Sequence, residues 1–158
     1  MPLLNEGDQF PSLVVDRVGG GEIVLPDDLQ GQYGVVLFNR GSWCPYCVTQ
    51  LKAFTKALPD LDAIGAAVVS ISADPKETAS TMVDSHGISF PIGHSASPAR
   101  LAELTGAFVH EDPSYVQATG FILDPDGSVL LSTYSTGAVG RLTAPDAVGF
   151  IKYVQSSS

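Results

Sequence analysis

Short apolar runs recur along the chain at intervals typical of buried β-strands. Four of these runs have the composition of strands that are buried or half-buried in a sheet. These four runs span residues 35–38, 66–71, 121–123 and 129–131. Two shorter runs, at 14–15 and 23–24, flank three consecutive glycines and predict a hairpin near the N-terminus. A further short strand is predicted near Phe90.

Between the predicted strands, apolar residues recur every three or four positions, which indicates amphipathic helices. In the helix that Pro45 opens, this spacing is kept by Val48, Leu51, Phe54 and Leu58. A second helix is predicted to start at Asp74 and Pro75 and to end near Gly87. At the start of this helix, the Asp74 side chain is predicted to be the N-cap, and the Glu77 side chain is placed to reach back toward Asp74.

Two more helices and a turn complete the pattern. One helix begins at Ser97 and ends at Gly106, and the last begins at Thr143. Residues 124–127 form a turn between two apolar runs. Strands that alternate with helices and end in an antiparallel pair predict one α/β domain over residues 1–158. We expect a central mixed β-sheet flanked by helices, with an N-terminal β-hairpin extension.

The charge of the chain narrows its possible partners. Seventeen acidic residues against eight basic ones give a formal net charge of −9, which repels nucleic acids and anionic membrane surfaces. No apolar run reaches the roughly 18 residues of a membrane span. The N-terminus lacks the basic stretch and apolar segment of a secretory signal. We therefore expect a cytoplasmic protein that binds neither nucleic acid nor membranes.

The chain has two cysteines, Cys44 and Cys47, which lie between a predicted strand and a predicted helix. Two cysteines at this spacing form either a redox pair or half of a zinc site. Zinc would need two further ligands, but His86, His94 and His110 are scattered without ligand spacing and are predicted to be surface residues, His110 in a solvated loop. We therefore expect redox chemistry with no metal and no cofactor.

The position of Cys44 favours an ionised thiol. Unpaired backbone N–H groups at the start of the following helix stabilise negative charge, and Arg40 can add a positive charge nearby. A free thiol is only a few per cent ionised at about pH 7, whereas cysteines in such settings have pKa values of about 3.5–7.5. The spacing also lets Cys47 attack a mixed disulfide formed on Cys44. Trp43 is predicted to cover the sulfur pair with an apolar surface.

Residues 38–47, Phe-Asn-Arg-Gly-Ser-Trp-Cys-Pro-Tyr-Cys, resemble the active-site segment of thioredoxin-fold proteins. Residues 7–11, 70–74 and 121–127 are similar to the peroxiredoxin-like proteins of the alkyl hydroperoxide reductase/thiol-specific antioxidant group. This resemblance implies a thioredoxin-like fold and a thiol peroxidase that recycles a Cys44–Cys47 disulfide. It also implies a thioredoxin-like or low-molecular-weight thiol as reductant, and related folds often form homodimers.

The resemblance implies which residues surround the two sulfurs. The candidate substrate-binding residues are Trp43, Pro45, Tyr46, Gln117 and Thr119. Peroxiredoxins usually carry an arginine in the segment that holds Gln117 and Thr119, and this chain has none there. Arg40 is the candidate catalytic cation, and Arg141 precedes the last helix and could reach the same end of the sheet.

Two assignments of the sulfurs stay open at this point. Comparison with thioredoxins makes Cys44 the exposed attacking thiol, whereas alignment with peroxiredoxins gives that role to Cys47. We favour Cys44 because it precedes the helix. The missing arginine also leaves two alternatives to peroxide reduction. One is a thioredoxin-like protein disulfide reductase, and the other is a non-catalytic redox-sensing binding protein.

Overall fold

The central sheet forms from the apolar runs along the chain, as the computed structural model of residues 3–157 shows. The fold contains the strands β1 (Leu13–Arg17), β2 (Glu22–Leu25), β3 (Tyr33–Phe38), β4 (Ala66–Ile71), β5 (Ile92–His94), β6 (Val109–Glu111), β7 (Ser114–Val116), β8 (Thr119–Leu123) and β9 (Val129–Tyr134). Its helices are α1 (Pro45–Lys56), α2 (Leu58–Ala63), α3 (Lys76–His86), α4 (Pro98–Thr105) and α5 (Ala144–Ser156).

Seven strands form one mixed sheet in the order β2-β1-β5-β4-β3-β8-β9. Strand β3 lies near its centre and pairs parallel with β4 on one side and antiparallel with β8 on the other. The N-terminal hairpin of β1 and β2 extends the sheet at one edge. Strands β6 and β7 pair only with each other, and we call them the β6–β7 ribbon. The predicted mixed α/β fold with its hairpin extension is confirmed.

The core consists of two apolar layers, one on each face of the sheet. Successive side chains of a strand point to opposite faces, so Val36 and Phe38 enter one layer while Val35 and Leu37 enter the other. The ring of Phe121 packs edge-on against Phe38, with 5.7 Å between the ring centres. The side chains of residues 35–38 are all fully buried. Core packing therefore holds the C-terminal end of β3 rigidly, and the chain continues from this end toward the two cysteines.

The predicted elements differ from the structure in a few places. Helix α3 begins after Asp74, and Pro75, its N-cap residue, makes no side-chain cap. The predicted Asp74 cap is wrong because this carboxylate accepts a hydrogen bond from the backbone N–H of Ser42 at 2.8 Å instead. The apolar face that follows Pro45 is split, since α1 ends before Leu58 and α2 begins there. The strand predicted near Phe90 is β5, two residues further on.

The β6–β7 ribbon was not predicted. Three of its six residues are exposed, and the segment lacks the alternation of apolar and polar residues that marks a half-buried strand. The prediction that His110 lies in a loop is wrong, because this residue belongs to β6 and pairs with Tyr115 of β7. None of the helices within residues 3–157 has the length and apolar character to cross a bilayer.

Thr143 caps the last helix as the sequence predicts. Its hydroxyl oxygen accepts a hydrogen bond from the backbone N–H of Asp146 at 3.2 Å. We expect Thr143→Ala to lower the free energy of unfolding by about 1 kcal/mol, because one N–H of the first turn loses its partner. Urea denaturation followed by circular dichroism measures this loss.

A matched control is Thr81→Ala. Thr81 is exposed within α3, where alanine favours the helix more than threonine does. We expect this variant to be unchanged or slightly more stable. An equal loss of stability in the two variants would contradict the capping role of Thr143.

Candidate active site

The two cysteines lie where the chain turns from β3 into α1. Cys44 is the N-cap residue of α1 and has an extended backbone, and Cys47 lies in the first turn. Both are free thiols, and both side chains are fully buried, with 0% exposure. Pro45 occupies the first helical position, where its missing N–H removes no helix hydrogen bond. The strand, the helix start and the pair therefore have the predicted arrangement, but the expectation that Cys44 is the exposed thiol is wrong, because the fold buries both cysteines completely.

Arg40 points its guanidinium group toward Cys44. Its Nη1 donates to the Cys44 Sγ at 3.5 Å, and its Nε donates to the Gln117 Oε1 at 3.0 Å. Its Nη2 donates to the hydroxyl of Tyr115 at 3.0 Å. The guanidinium carbon also lies 5.0 Å from the ring centre of Trp43 and 5.1 Å from that of Tyr115. Each guanidinium nitrogen therefore has a hydrogen-bond partner, and one of these partners is a reactive sulfur.

Arg141 reaches the second sulfur from the segment before α5. Its Nη2 donates to the Cys47 Sγ at 3.3 Å, and its Nη1 donates to the Gln50 Oε1 at 2.6 Å. Gln50 is buried on α1 and donates its own amide hydrogen to the Leu142 carbonyl at 2.7 Å. Gln50 therefore fixes the position of Arg141. Gln50 was not predicted as a site residue, although its place three residues after Cys47 puts a polar group on the buried face of the helix.

The two thiols have opposite tendencies to ionise. Burial opposes ionisation of Cys44, but hydrogen bonds from the Cys47 thiol, the Cys47 backbone N–H and Arg40, together with the charge of Arg141, bring its pKa below the ordinary value. Burial, together with the hydrogen bond donated to Cys44, raises the pKa of Cys47, and Arg141 offsets only part of this effect. The directions of these two pKa shifts favour the thiolate on Cys44, with the Cys47 thiol as a hydrogen-bond donor beside it.

Aromatic side chains form the outer surface of the site. Trp43 and Tyr46 flank Cys44 and are 55% and 54% exposed. The Trp43 ring packs edge-on against Tyr115, with 4.8 Å between the ring centres. The His110 ring stacks on that of Tyr115, with 4.7 Å between the ring centres. The β6–β7 ribbon thus forms part of the rim around the thiols.

The loop before Cys44 is held in place by two features. Gly41 has a φ of +149°, and a side chain there would overlap the indole of Trp43. The Asp74 carboxylate accepts the Ser42 N–H, and burial raises the pKa of Asp74 although these hydrogen bonds partly oppose the shift. Gly41 and Asp74 therefore determine where Trp43 lies relative to the sulfurs.

The structure brings together most of the residues that the sequence predicts for the site. Cys44 and Gln117 are linked through the Arg40 side chain, and the Arg40 backbone N–H donates to the Cys47 Sγ at 3.2 Å. Thr119 lies at the start of β8, where its hydroxyl donates to the Gln117 carbonyl at 2.9 Å and no contact with a sulfur is made. Pro45 and Tyr46 are exposed at the helix start. Tyr115 was not predicted at all.

The surface prediction is confirmed for one of the two histidines outside the ribbon. His86 ends α3 and is exposed, as predicted. The surface prediction is wrong for His94, which is buried. Its burial is tolerated because its Nδ1 is hydrogen-bonded to the Ser95 hydroxyl at 2.8 Å. Across residues 3–157, no three His, Cys, Asp or Glu side chains are grouped in a way that could hold a metal ion.

The chain is similar to known proteins over nearly its whole length. A model of the AhpC/TSA family matches residues 6–132. A peroxiredoxin of Treponema denticola is 29% identical over 163 residues, which cover 99% of this chain and 76% of that protein. The alkyl hydroperoxide reductase C of Mycolicibacterium smegmatis is 27% identical over 161 residues, covering 89% of this chain and 80% of that protein. The solved AhpC structure of Mycobacterium tuberculosis has a TM-score of 0.84 at 22% identity, over 99% of this chain and 96% of that one.

Proposed function

Because the chain belongs to the AhpC/TSA family, we propose that it reduces hydroperoxides with Cys44 as the attacking thiol and Cys47 as the resolving thiol. The peroxiredoxin relatives make it a thiol-dependent antioxidant oxidoreductase of the peroxidase class. They do not favour the disulfide reductase or the non-catalytic redox sensor.

The reaction takes place in two steps on the thiol pair. The Cys44 thiolate attacks one peroxide oxygen, the O–O bond breaks, and the other oxygen leaves as an alcohol or water after taking up a proton. Cys44 is then a sulfenic acid, oxidised by two electrons. The Cys47 thiol attacks that sulfur, the S–S bond forms, and water leaves. Two equivalents of an external thiol later reduce the Cys44–Cys47 disulfide.

The observation that carries this assignment is the contact between Arg40 and Cys44. The Arg40 Nη1 lies 3.5 Å from the Cys44 Sγ, and the pKa of Cys44 is lowered while that of Cys47 is raised. A guanidinium at this position stabilises the attacking thiolate. It also faces the place where negative charge develops on the departing oxygen. Arg40 therefore acts as the catalytic cation.

The other predicted residues have supporting roles in this proposal. Gln117 accepts a hydrogen bond from Arg40 and orients it. Trp43, Pro45 and Tyr46 surround the approach to Cys44 and would contact the organic part of a hydroperoxide. Thr119 contributes indirectly, through its hydrogen bond to the backbone of Gln117.

A peroxide assay tests the proposed function. We expect the reduced protein to consume hydrogen peroxide and an organic hydroperoxide much faster than a free thiol does, and to form one internal disulfide for each peroxide consumed. Mass spectrometry detects the disulfide as the loss of two hydrogen atoms. Protein with both thiols alkylated is the control. Consumption no faster than that of a free thiol, combined with rapid reduction of insulin, would favour the disulfide reductase instead.

Several properties of the proposed enzyme stay predictions. These are a thioredoxin-like or low-molecular-weight thiol as reductant, a homodimeric assembly, a single domain over residues 1–158 and a cytoplasmic location. The net charge of −9 supports the expectation that neither nucleic acid nor an anionic membrane is a partner.

A further inference from the structure

Tyr115 touches the centre of the site from a different part of the fold. It lies on β7 of the β6–β7 ribbon, and its hydroxyl accepts a hydrogen bond from the Arg40 Nη2 at 3.0 Å. Its ring packs edge-on against Trp43 and stacks with the ring of His110. Tyr115 contacts neither sulfur through a hydrogen bond, so any effect on the thiols passes through a neighbour.

That neighbour is Arg40, which needs external support to stay near Cys44. An arginine side chain has several rotatable bonds, and a solvated guanidinium close to the surface samples many positions. Only Nη1 of Arg40 reaches the sulfur, whereas Nε and Nη2 are held by Gln117 and Tyr115. These two anchors fix the plane of the guanidinium and thereby the direction in which Nη1 points.

Both anchors come from one short segment. Tyr115 lies on β7 and Gln117 is one residue beyond its end, and the side chains of both accept a hydrogen bond from Arg40. The backbone N–H of Gln117 donates to the Phe108 carbonyl at 2.8 Å, which ties this segment to the start of the ribbon. The stacked His110 supports the Tyr115 ring from outside. The ribbon therefore presents two oxygen acceptors to Arg40 as one unit.

We propose that Tyr115 is a positioning residue for peroxide reduction, holding the Arg40 guanidinium beside the attacking Cys44 thiolate. This inference rests on the proposed roles of Arg40 and Cys44. It gives the β6–β7 ribbon a function in the reaction, because the ribbon supplies the hydroxyl that directs the catalytic cation.

Tyr115→Phe tests the proposal because it removes the hydroxyl and keeps the ring that packs on Trp43. We expect the pH midpoint for alkylation of Cys44 by iodoacetamide to move upward. Below the wild-type midpoint, the rate of peroxide reduction should fall about threefold to tenfold, equivalent to a rise of about half to one pKa unit. Well above the midpoint the alkylation rate should approach that of the wild type. Tyr153→Phe is the matched control, since Tyr153 is exposed on α5.

A double-mutant cycle separates action through Arg40 from a general effect on the fold. If Tyr115 acts through Arg40, Tyr115→Phe should have no further effect on the pH midpoint in an Arg40→Met background. Additive effects, or a Tyr115→Phe profile that superimposes on the wild type, would overturn the inference. Either result leaves the proposed function standing if the wild type reduces peroxide. Absence of peroxide reduction in the wild type would instead refute the proposed function itself.

Discussion

Replacing Cys44 by serine is expected to abolish peroxide reduction, with a loss of at least about 10²-fold in rate, because a serine hydroxyl is not ionised near neutral pH. Cys47→Ser should behave differently. Its Cys44 keeps the hydrogen bond from Arg40 and the positive charge of Arg141, so the thiolate still forms. This variant should consume one peroxide per chain and then stop, because the resolving thiol is missing.

The two variants are compared in a single-turnover experiment. Reduced protein is mixed with hydroperoxide, and the sulfenic acid is trapped with dimedone and located by mass spectrometry. We expect the label on Cys44 in Cys47→Ser and no label in Cys44→Ser. The reverse pattern would make Cys47 the attacking thiol, which is the assignment that the peroxiredoxin alignment suggests. Circular dichroism shows whether both variants remain folded.

Arg40→Met should give the second large effect. Removing the guanidinium removes a hydrogen bond and a positive charge that lower the pKa of Cys44, so that pKa rises. The thiolate fraction at neutral pH then falls, and a rise of one pKa unit lowers the rate by up to about tenfold. The loss should shrink as the pH is raised through the new pKa. Stopped-flow measurement of peroxide reduction across a pH series records both effects.

Two further substitutions make this result specific. Arg17→Met removes the same charge from an exposed position on β1 and should leave the pH profile unchanged. Arg40→Lys keeps the charge but cannot bond Cys44, Gln117 and Tyr115 together, so we expect an intermediate rate. A rate that stays low above the new pKa would measure how much Arg40 also stabilises the departing oxygen. An unchanged profile in Arg40→Met would contradict its catalytic role.

Much of the fold could be predicted because its sheet is built from continuous apolar runs. Residues 35–38 and 66–71 are the central strand and its parallel neighbour, and both are almost entirely buried. Proline and glycine residues marked where the helices begin and end, as at Gly106. The thiol pair was located correctly between strand and helix because this arrangement depends on residues adjacent in sequence.

The contacts that complete the site join residues far apart in the chain. Arg40 and Tyr115 are 75 positions apart, and Arg141 and Cys47 are 94 positions apart. No local pattern marks such pairs, since each depends on how the sheet brings separate loops to one end. Asp74 illustrates the same point. Its sequence neighbours predict a helix cap, whereas the folded chain brings a closer partner, the Ser42 N–H, to its carboxylate.

The placement of both cysteines at one end of a single helix affects how the protein withstands an excess of its oxidant. A sulfenic acid that meets a second hydroperoxide is converted to a sulfinic acid, which ordinary thiols do not reduce. Here the competing thiol lies within hydrogen-bonding distance of the sulfur from the start. Well-oriented groups within one molecule react as if present at about 10⁵–10⁸ M, a concentration that no dissolved peroxide can match. Formation of the Cys44–Cys47 disulfide should therefore be faster than overoxidation. The enzyme should keep turning over at peroxide concentrations that inactivate proteins whose resolving cysteine must first move to the site.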